Sequence, residues 1–190
     1  MNQRRRIVVG EPGDVWFFAY GSLMWDPGFA PAEVRPALLR GWHRAFCVAS
    51  VIYRGSPAAP GLTLGLDRGG SCRGRALCIA ADGREEVLAY LAEREMPEEI
   101  YSCRRVRVET PQGAVAAYTL VVNRDHDLYV CGLTPGEMAA RIAAAAGARG
   151  ANLDYLAQTV RHMDDLGIAE GALHRLLDRV AKIASRAEKR

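Results

Sequence analysis

The chain has 190 residues, of which 49% are hydrophobic and 25% are charged, and its formal net charge is +3. This is the composition of an ordinary globular protein, and so small a net charge does not suggest nucleic-acid binding, which usually needs a concentrated basic face. A chain of this length buries a full core, so we predict one domain over residues 1–190, with loose termini at residues 1–14 and 182–190.

The cysteines and histidines predict neither disulfides nor a metal site. The five cysteines are an odd number without any Cys-x-x-Cys pair, which is typical of free thiols in a reducing compartment. The four histidines are scattered without zinc-site spacing, so we expect no metal and no cofactor. The apolar run at residues 7–9 is too short for an export signal, and no segment approaches the length of a membrane span. These observations predict a cytoplasmic protein.

The first half of the chain has the pattern of short strands separated by turns. An apolar run rich in aromatic and β-branched residues ends abruptly at Gly21-Ser22, which predicts a buried strand followed by a turn. The glycine-rich residues 67–71 have the composition of a hairpin turn and lack the residue order of a phosphate-binding loop. The predicted strands of this half are residues 15–20, 40–51, 63–66 and 74–79.

The second half changes from strands to helices. Thr134, Pro135 and Glu137 have the spacing of an N-cap, a first helical residue and a capping-box glutamate. The predicted strands here are residues 102–109 and 114–122, and the predicted helices are residues 84–95, 135–146, 152–166 and 170 to the C-terminus. Strands first and helices last, without regular alternation, predict an α+β fold.

One glutamate of the predicted helix 84–95 lies on its apolar face. Glu95 follows Leu88 by seven residues and Leu91 by four, so its side chain projects between them. Glu93 falls on the opposite, solvated side of the same helix. Burial and the nearby carbonyl end of the helix would both raise the pKa of Glu95.

A carboxyl group in that position has two interpretations. In a cleft it is a candidate general base, because such groups need a perturbed pKa. Alternatively, Glu95 is a structural partner of an arginine such as Arg44, Arg104 or Arg105. The spacing alone favours neither interpretation.

The turn at Gly21-Ser22 is a second candidate feature. Backbone N–H groups that lose their ladder partners at the end of a strand can bind an anionic or polarised ligand. Gly21 has no Cβ and would let such a ligand approach the backbone closely. The alternative is an ordinary junction between a strand and a loop.

Five segments of the chain form an ordered set of motifs. They are Tyr20-Gly21-Ser22-Leu23-Met24-Trp25, Gly41-Trp42-His43-Arg44-Ala45-Phe46-Cys47, Arg94-Glu95-Met96 followed by Tyr101, Asp127-Leu128-Tyr129, and residues 152–156. In this order they resemble segments of the ChaC-type γ-glutamylcyclotransferases, enzymes that act on glutathione. The resemblance covers the chain from about residue 15 to about residue 177.

The resemblance implies a small mixed β-barrel flanked by helices, and a reaction that converts glutathione to 5-oxoproline and cysteinylglycine without a cofactor. It implies that Glu95 is the catalytic acid and base. Tyr20 also has a simpler interpretation, as the last core aromatic residue of its strand. The substrate-binding residues that the resemblance implies are Ala19, Tyr20, Gly21, Ser22, Leu23, Met24, Arg44, Tyr101 and Tyr129.

Other functions fit parts of the same pattern. The same ring closure could act on other γ-glutamyl amino acids or γ-glutamylamines, and a non-catalytic protein could bind a small anion in the same concavity. RNA binding through the terminal arginines is a weaker alternative. The partner that we expect is a small-molecule substrate, glutathione. We expect no binding to nucleic acid or membranes, and we expect the chain to be a monomer or a weak homodimer.

Overall fold

The structure is a computed structural model that describes residues 6–96 and 99–187. A single turn of 3₁₀ helix, Ser22–Met24, follows the first strand. The strands are β1 (Val15–Ala19), β2 (Glu33–Ser50), β3 (Gly61–Ile79), β4 (Tyr101–Thr110), β5 (Gly113–Val122), β6 (Ala146–Gly147) and β7 (Gly150–Ala151). The helices are α1 (Arg84–Glu95), α2 (Pro135–Ala144), α3 (Asn152–Asp165) and α4 (Gly171–Ala187).

Strands β1 to β5 form a closed barrel in the order β1-β3-β2-β4-β5. β1 pairs antiparallel with β3 and parallel with β5, so the sheet is mixed. β4 and β5 form an antiparallel hairpin over their whole length. Because side chains alternate along a strand, each strand sends one set inward, and Phe18, Leu66, Val108 and Ala117 are fully buried there. The expected mixed α+β barrel with helices is confirmed.

The chain divides into two compact units. The first unit comprises Met1–Ala45 and Leu66–His126, and the second comprises Phe46–Gly65 and Asp127–Arg190. The division falls within β2 and β3, so each of these long strands contributes one stretch to each unit. The single domain of the sequence analysis stays a prediction.

In the first unit, the segment before β1 is held by hydrogen bonds. Arg84 Nη1 donates to the carbonyl oxygens of Glu11 and Gly13, at 2.9 and 2.8 Å. The backbone N–H of Ala81 donates to Asp14 Oδ1 at 2.9 Å. These contacts attach residues 11, 13 and 14 to residues at and just before the start of α1, whereas the loose terminus expected over residues 1–14 stays a prediction. Residues 182–187, also expected to be loose, belong to α4.

In the second unit, polar side chains fix the ends of the helices. The capping box predicted for α2 is confirmed, with Thr134 accepting from the backbone N–H of Glu137 and Glu137 accepting from that of Thr134. Asn152, the first residue of α3, is fully buried. Its amide nitrogen donates to the carbonyl oxygen of Leu62 at 2.8 Å, and its Oδ1 accepts from the N–H of Leu62 at 2.6 Å. α4 packs on α2 and α3.

Several element boundaries differ from the prediction. β2 begins at Glu33 and not at residue 40, and β3 and α2 differ for reasons that the structure shows. The turn expected at residues 67–71 is wrong, because β3 runs unbroken from Gly61 to Ile79. Gly69 and Gly70 have φ of +100° and +65° there, which glycine adopts without a Cβ clash, so the strand continues. α2 ends at Ala144 and not at residue 146, because Ala145 is extended and leads into the β6–β7 pair.

Within the part of the chain that the structure describes, the helices are too short or too polar to cross a membrane.

Candidate active site

The segment that follows β1, residues 20–26, is named here the β1 turn. It contains the single 3₁₀ turn, in which the N–H of Met24 donates to the carbonyl oxygen of Gly21 at 2.9 Å. The N–H of Asp26 donates to the carbonyl oxygen of Ser22 at 2.8 Å. Leu23 and Met24 are buried, at 6% and 2% exposure, so their side chains anchor the turn in the core.

The first N–H groups of the β1 turn are not used by the turn itself. A 3₁₀ turn leaves its first donors without partners inside the helix. In the part of the chain that the structure describes, the N–H groups of Ser22 and Leu23 donate no backbone hydrogen bond. The turn can therefore donate to an anionic or polarised group from fixed backbone positions.

Arg44 is a buried cation that holds the start of the β1 turn. It lies in β2 and is 7% exposed. Its Nε donates to the carbonyl oxygen of Tyr20 at 2.5 Å, and its Nη2 donates to that of Arg73 at 2.7 Å. Arg75 supports the other part of the turn, donating to the carbonyl oxygen of Met24 at 3.2 Å. These contacts fix the backbone of the turn from the barrel wall.

Ala19 and Tyr20 belong to the wall of the barrel. Ala19 is the last residue of β1, is 1% exposed and pairs with Arg75 of β3. The side chain of Tyr20 is half-buried and packs against the core cluster that contains Phe18. This placement supports the simpler interpretation of Tyr20, as the last core aromatic residue of its strand.

Glu95 is the last residue of α1. The predicted faces of this helix are observed, with Leu88 and Leu91 buried and Glu93 exposed. The side chain of Glu95 lies between these extremes, at 26% exposure. Its Oε1 is 2.9 Å from Nε of Arg94. This arginine was not among the candidate partners that the sequence indicated.

The guanidinium of Arg94 joins the end of α1 to the β1 turn. Its Nη2 donates to Ser22 Oγ at 3.4 Å and lies 3.5 Å from Asp26 Oδ2. Its Nη1 donates to the hydroxyl of Tyr90 at 2.8 Å. Burial lowers the pKa of Arg94, but the hydrogen bond to Tyr90 and the charge of Glu95 outweigh it, so the pKa is raised. Arg94 is therefore a permanent cation beside Glu95.

The two tyrosines that the resemblance implied lie on different units. Tyr101 is the first residue of β4, is half-buried and pairs with Val122 of β5 in the first unit. Tyr129 is half-buried in the second unit, where it forms an isolated bridge with Val48. The structure thus brings Glu95, residues 19–24 and Arg44 together within the first unit.

Three residues that build this site, Arg94, Asp26 and Arg75, were not predicted from the sequence. The spacing of Tyr90 and Arg94, four residues apart on a helix, was a readable signal that these side chains meet. Nothing in the sequence indicates that the same guanidinium reaches a turn 72 residues earlier.

The site combines a carboxylate, a fixed cation and backbone donors. A carboxylate can accept a proton and return it, whereas backbone N–H groups stabilise negative charge that forms on an oxygen. The arrangement is therefore suited to a reaction in which a proton moves and an oxyanion forms within one small substrate.

The chain was compared with known proteins by sequence and by fold. The profile of a family described as ChaC-like protein matches residues 15–183. The glutathione-specific γ-glutamylcyclotransferase of Escherichia coli (strain K12) is 34% identical over 174 residues, which cover 91% of this chain and 75% of that protein. The glutathione-specific γ-glutamylcyclotransferase 1 of Mus musculus is 34% identical over 164 residues, covering 83% and 73%.

A solved structure has the same fold. The crystal structure of a selenomethionine-labelled γ-glutamylcyclotransferase specific to glutathione from yeast superposes with a TM-score of 0.79. It covers 90% of this chain and 96% of the yeast chain, at 22% sequence identity. The fold predicted from the sequence is thus also that of a solved relative.

Proposed function

Because the chain belongs to the ChaC-like family, we propose that it is a γ-glutamylcyclotransferase that converts glutathione to 5-oxoproline and cysteinylglycine. The relatives from Escherichia coli and Mus musculus, each 34% identical, are named for this activity on glutathione. The observation that carries the proposal is that one guanidinium joins the carboxylate of Glu95 to the β1 turn. This contact supports a site in which Glu95 accepts a proton beside the backbone donors of the turn.

The reaction closes a ring within one molecule. The α-amine of the γ-glutamyl group attacks its own γ-carbonyl carbon, a new C–N bond forms, and the bond to the cysteine nitrogen breaks. The amine is an ammonium ion at neutral pH, so it must lose a proton. In the proposal, Glu95 binds the ammonium, accepts that proton and returns a proton to the departing cysteine nitrogen. Such proton transfer contributes roughly two to four orders of magnitude in rate.

The β1 turn binds the other end of the reacting group. The N–H groups of Gly21, Ser22 and Leu23 are proposed to hold the glutamyl α-carboxylate or the oxyanion that forms on the γ-carbonyl. A well-placed donor of this kind contributes roughly 3–4 kcal/mol in the transition state. Holding the extended substrate in a folded conformation adds a further gain, because the two reacting atoms are then already close.

The remaining residues have supporting roles in the proposal. Ala19 immediately precedes the β1 turn, and the buried side chain of Met24 anchors the turn in the core. Arg44 holds the backbone of the turn by its hydrogen bond to the carbonyl oxygen of Tyr20. Tyr101 and Tyr129 are proposed to contact the substrate, as the family resemblance implies. A cytoplasmic location is proposed as well, because all five cysteines are free and the cytosol keeps thiols reduced.

The proposal is tested by product analysis. Purified protein is incubated with glutathione, and 5-oxoproline, cysteinylglycine and glutamate are quantified by chromatography. We expect equal amounts of 5-oxoproline and cysteinylglycine and no glutamate, because ring closure uses no water. γ-Glutamyl-alanine and a γ-glutamylamine, run in parallel, report the substrate preference. Glutathione left intact, or glutamate in place of 5-oxoproline, contradicts the proposal.

A binding protein without activity gives a different result. Glutathione would then raise the unfolding temperature of the protein by mass action, with no product released. A thermal melt with and without glutathione, performed on the same preparation as the product assay, separates the two functions.

A further inference from the structure

We propose that Arg94 is a positioning residue that holds the carboxylate of Glu95 in place against the β1 turn. This inference rests on the proposed function, because it assigns the arginine a role in the same ring closure.

All three nitrogens of the Arg94 guanidinium are engaged, each on a different partner. Nε pairs with Glu95 at 2.9 Å, and Nη1 donates to the hydroxyl of Tyr90 at 2.8 Å. Nη2 faces the β1 turn, with Ser22 Oγ at 3.4 Å and Asp26 Oδ2 at 3.5 Å. A guanidinium is planar and its donors are fixed relative to one another. Its orientation on Tyr90 and on the turn therefore sets where Glu95 lies.

The pair between Arg94 and Glu95 is sheltered. Their side chains are 25% and 26% exposed, whereas that of Asp26 is 69% exposed. Water screens an exposed ion pair strongly and a sheltered one less. The carboxylate that is best placed to be held by Arg94 is thus Glu95, the proposed base. An ionised carboxylate is the form that can accept the proton of the substrate ammonium.

The dipeptide Arg-Glu occurs at both ends of α1, and its first copy, Arg84-Glu85, provides a comparison. Arg84 also pairs with the glutamate that follows it, Glu85, at 3.3 Å. Glu85 is 78% exposed, and the other contacts of Arg84 are the carbonyl oxygens of Glu11 and Gly13. Arg84 thus fixes backbone at one end of the helix. Arg94 lies roughly 15 Å away along the helix and fixes a carboxylate.

The test compares Arg94→Gln, Arg94→Lys and the control Arg84→Gln with the unmodified protein. For each, kcat and KM for glutathione are measured, with a thermal melt to establish folding. We expect Arg94→Gln to lower kcat about 100-fold, because a misplaced base is ineffective even when substrate binds. KM should change much less than kcat, since the backbone donors of the β1 turn remain. Arg84→Gln should keep kcat within about twofold, whatever it costs in stability.

Arg94→Lys distinguishes positioning from charge alone. Lysine returns the positive charge but has a single ammonium in place of the planar fork. We expect it to recover part of the lost kcat and to remain about tenfold below the unmodified protein. A kcat for Arg94→Gln that falls no further than that of Arg84→Gln overturns the proposal, as does a loss that appears in KM alone.

A measurement that needs no activity separates this inference from the proposed function. Urea unfolding is measured for Arg94→Gln, Glu95→Gln and the double variant. If the two side chains hold each other, the double variant loses less stability than the sum of the single losses. Additive losses overturn the positioning role. An unmodified protein that releases no 5-oxoproline overturns the proposed function, and the coupling then still reports whether Arg94 holds Glu95.

Discussion

Asn152 shows how one buried side chain satisfies two backbone groups of a strand. Its amide satisfies both the N–H and the carbonyl oxygen of Leu62, at 2.6 and 2.8 Å, and the residue is fully buried. An unsatisfied buried polar group costs about 1–3 kcal/mol. The amide thus holds the start of α3 on the first residues of β3, within the second unit.

This contact leads to a prediction for Asn152. Asn152→Ala leaves both backbone groups of Leu62 without partners, so we expect a loss of about 2–4 kcal/mol in the free energy of unfolding, measured in urea. Asn152→Asp keeps the size and the acceptor but loses the donor. It should also destabilise the protein, because a carboxylate cannot donate to the carbonyl oxygen of Leu62. A loss below about 0.5 kcal/mol for both variants would contradict this account of the contact.

The candidate site also depends on contacts between single side chains, and here the sequence has clear limits. Helical spacing predicts that Glu95 lies on the same side of α1 as Leu88 and Leu91. The half-buried side chain of Glu95 agrees with this prediction. The partner of Glu95 could not be predicted, because the side chain of Arg94 has many possible rotamers. Its contact with the β1 turn, which exists only in the folded protein, selects one of them. Arg94 was adjacent in sequence, yet three arginines further away were the stated candidates.

Among the elements, α3 and α4 are joined by a histidine whose two ring nitrogens both face oxygen atoms. Nδ1 of His174 lies 3.0 Å from the carbonyl oxygen of Glu170, and Nε2 lies 3.0 Å from Asp164 Oδ1. Only the imidazolium donates from both nitrogens. The backbone hydrogen bond to Glu170, followed by the bond to Asp164, therefore raises the pKa of His174 above 6.5.

This raised pKa predicts a pH dependence of stability. The folded state binds the proton more tightly than the unfolded state, so the stabilisation is complete below about pH 6.5 and is lost as the pH rises through the raised value. We expect the difference in unfolding temperature between the unmodified protein and His174→Gln to shrink from about pH 6 to about pH 8. Asp164→Asn should weaken this trend. A difference that grows with pH would contradict the assignment.

The elements were predictable to different degrees, for physical reasons. The bounds of α1 and the capping box of α2 follow from local rules of periodicity and capping, and both are confirmed. β3 was predicted as two strands because glycines commonly end a strand. In the barrel, β3 pairs with β1 on one side and with β2 on the other, and the strand continues through two glycines at positive φ. Long-range pairing thus overrode the local signal.

At the level of the whole molecule, the closure of the barrel is the feature that local patterns describe least. The parallel pairing of β1 with β5 joins residues about 100 positions apart, such as Trp16 and Ala117. No periodicity encodes such a contact, and the barrel was implied by the family resemblance alone. The α+β class, in contrast, followed from the order of strands and helices along the chain.

The burial of the cysteines predicts how the folded protein reacts with thiol reagents. Cys131 is exposed, whereas Cys47, Cys72 and Cys78 are buried. Burial raises the pKa of Cys103 to about 11, so its thiol stays protonated and unreactive near neutral pH. We expect one thiol to react quickly with Ellman's reagent in the native protein, and all five to react in denaturant. Cys131→Ser should remove the fast phase, and several fast thiols in the native protein would contradict the structure.

If Glu95 carries the proton in ring closure, as proposed, loss of its charge must stop the reaction, whereas loss of a neighbouring charge must not. Glu95→Gln and Glu93→Gln each remove one negative charge from the same helix, without a change in size. Release of 5-oxoproline from glutathione is measured for both variants and for the unmodified protein. Glu95→Gln should lower kcat by at least about 100-fold while a thermal melt still shows a folded protein, and Glu93→Gln should stay within about twofold. Near-normal turnover by a folded Glu95→Gln protein would contradict the account.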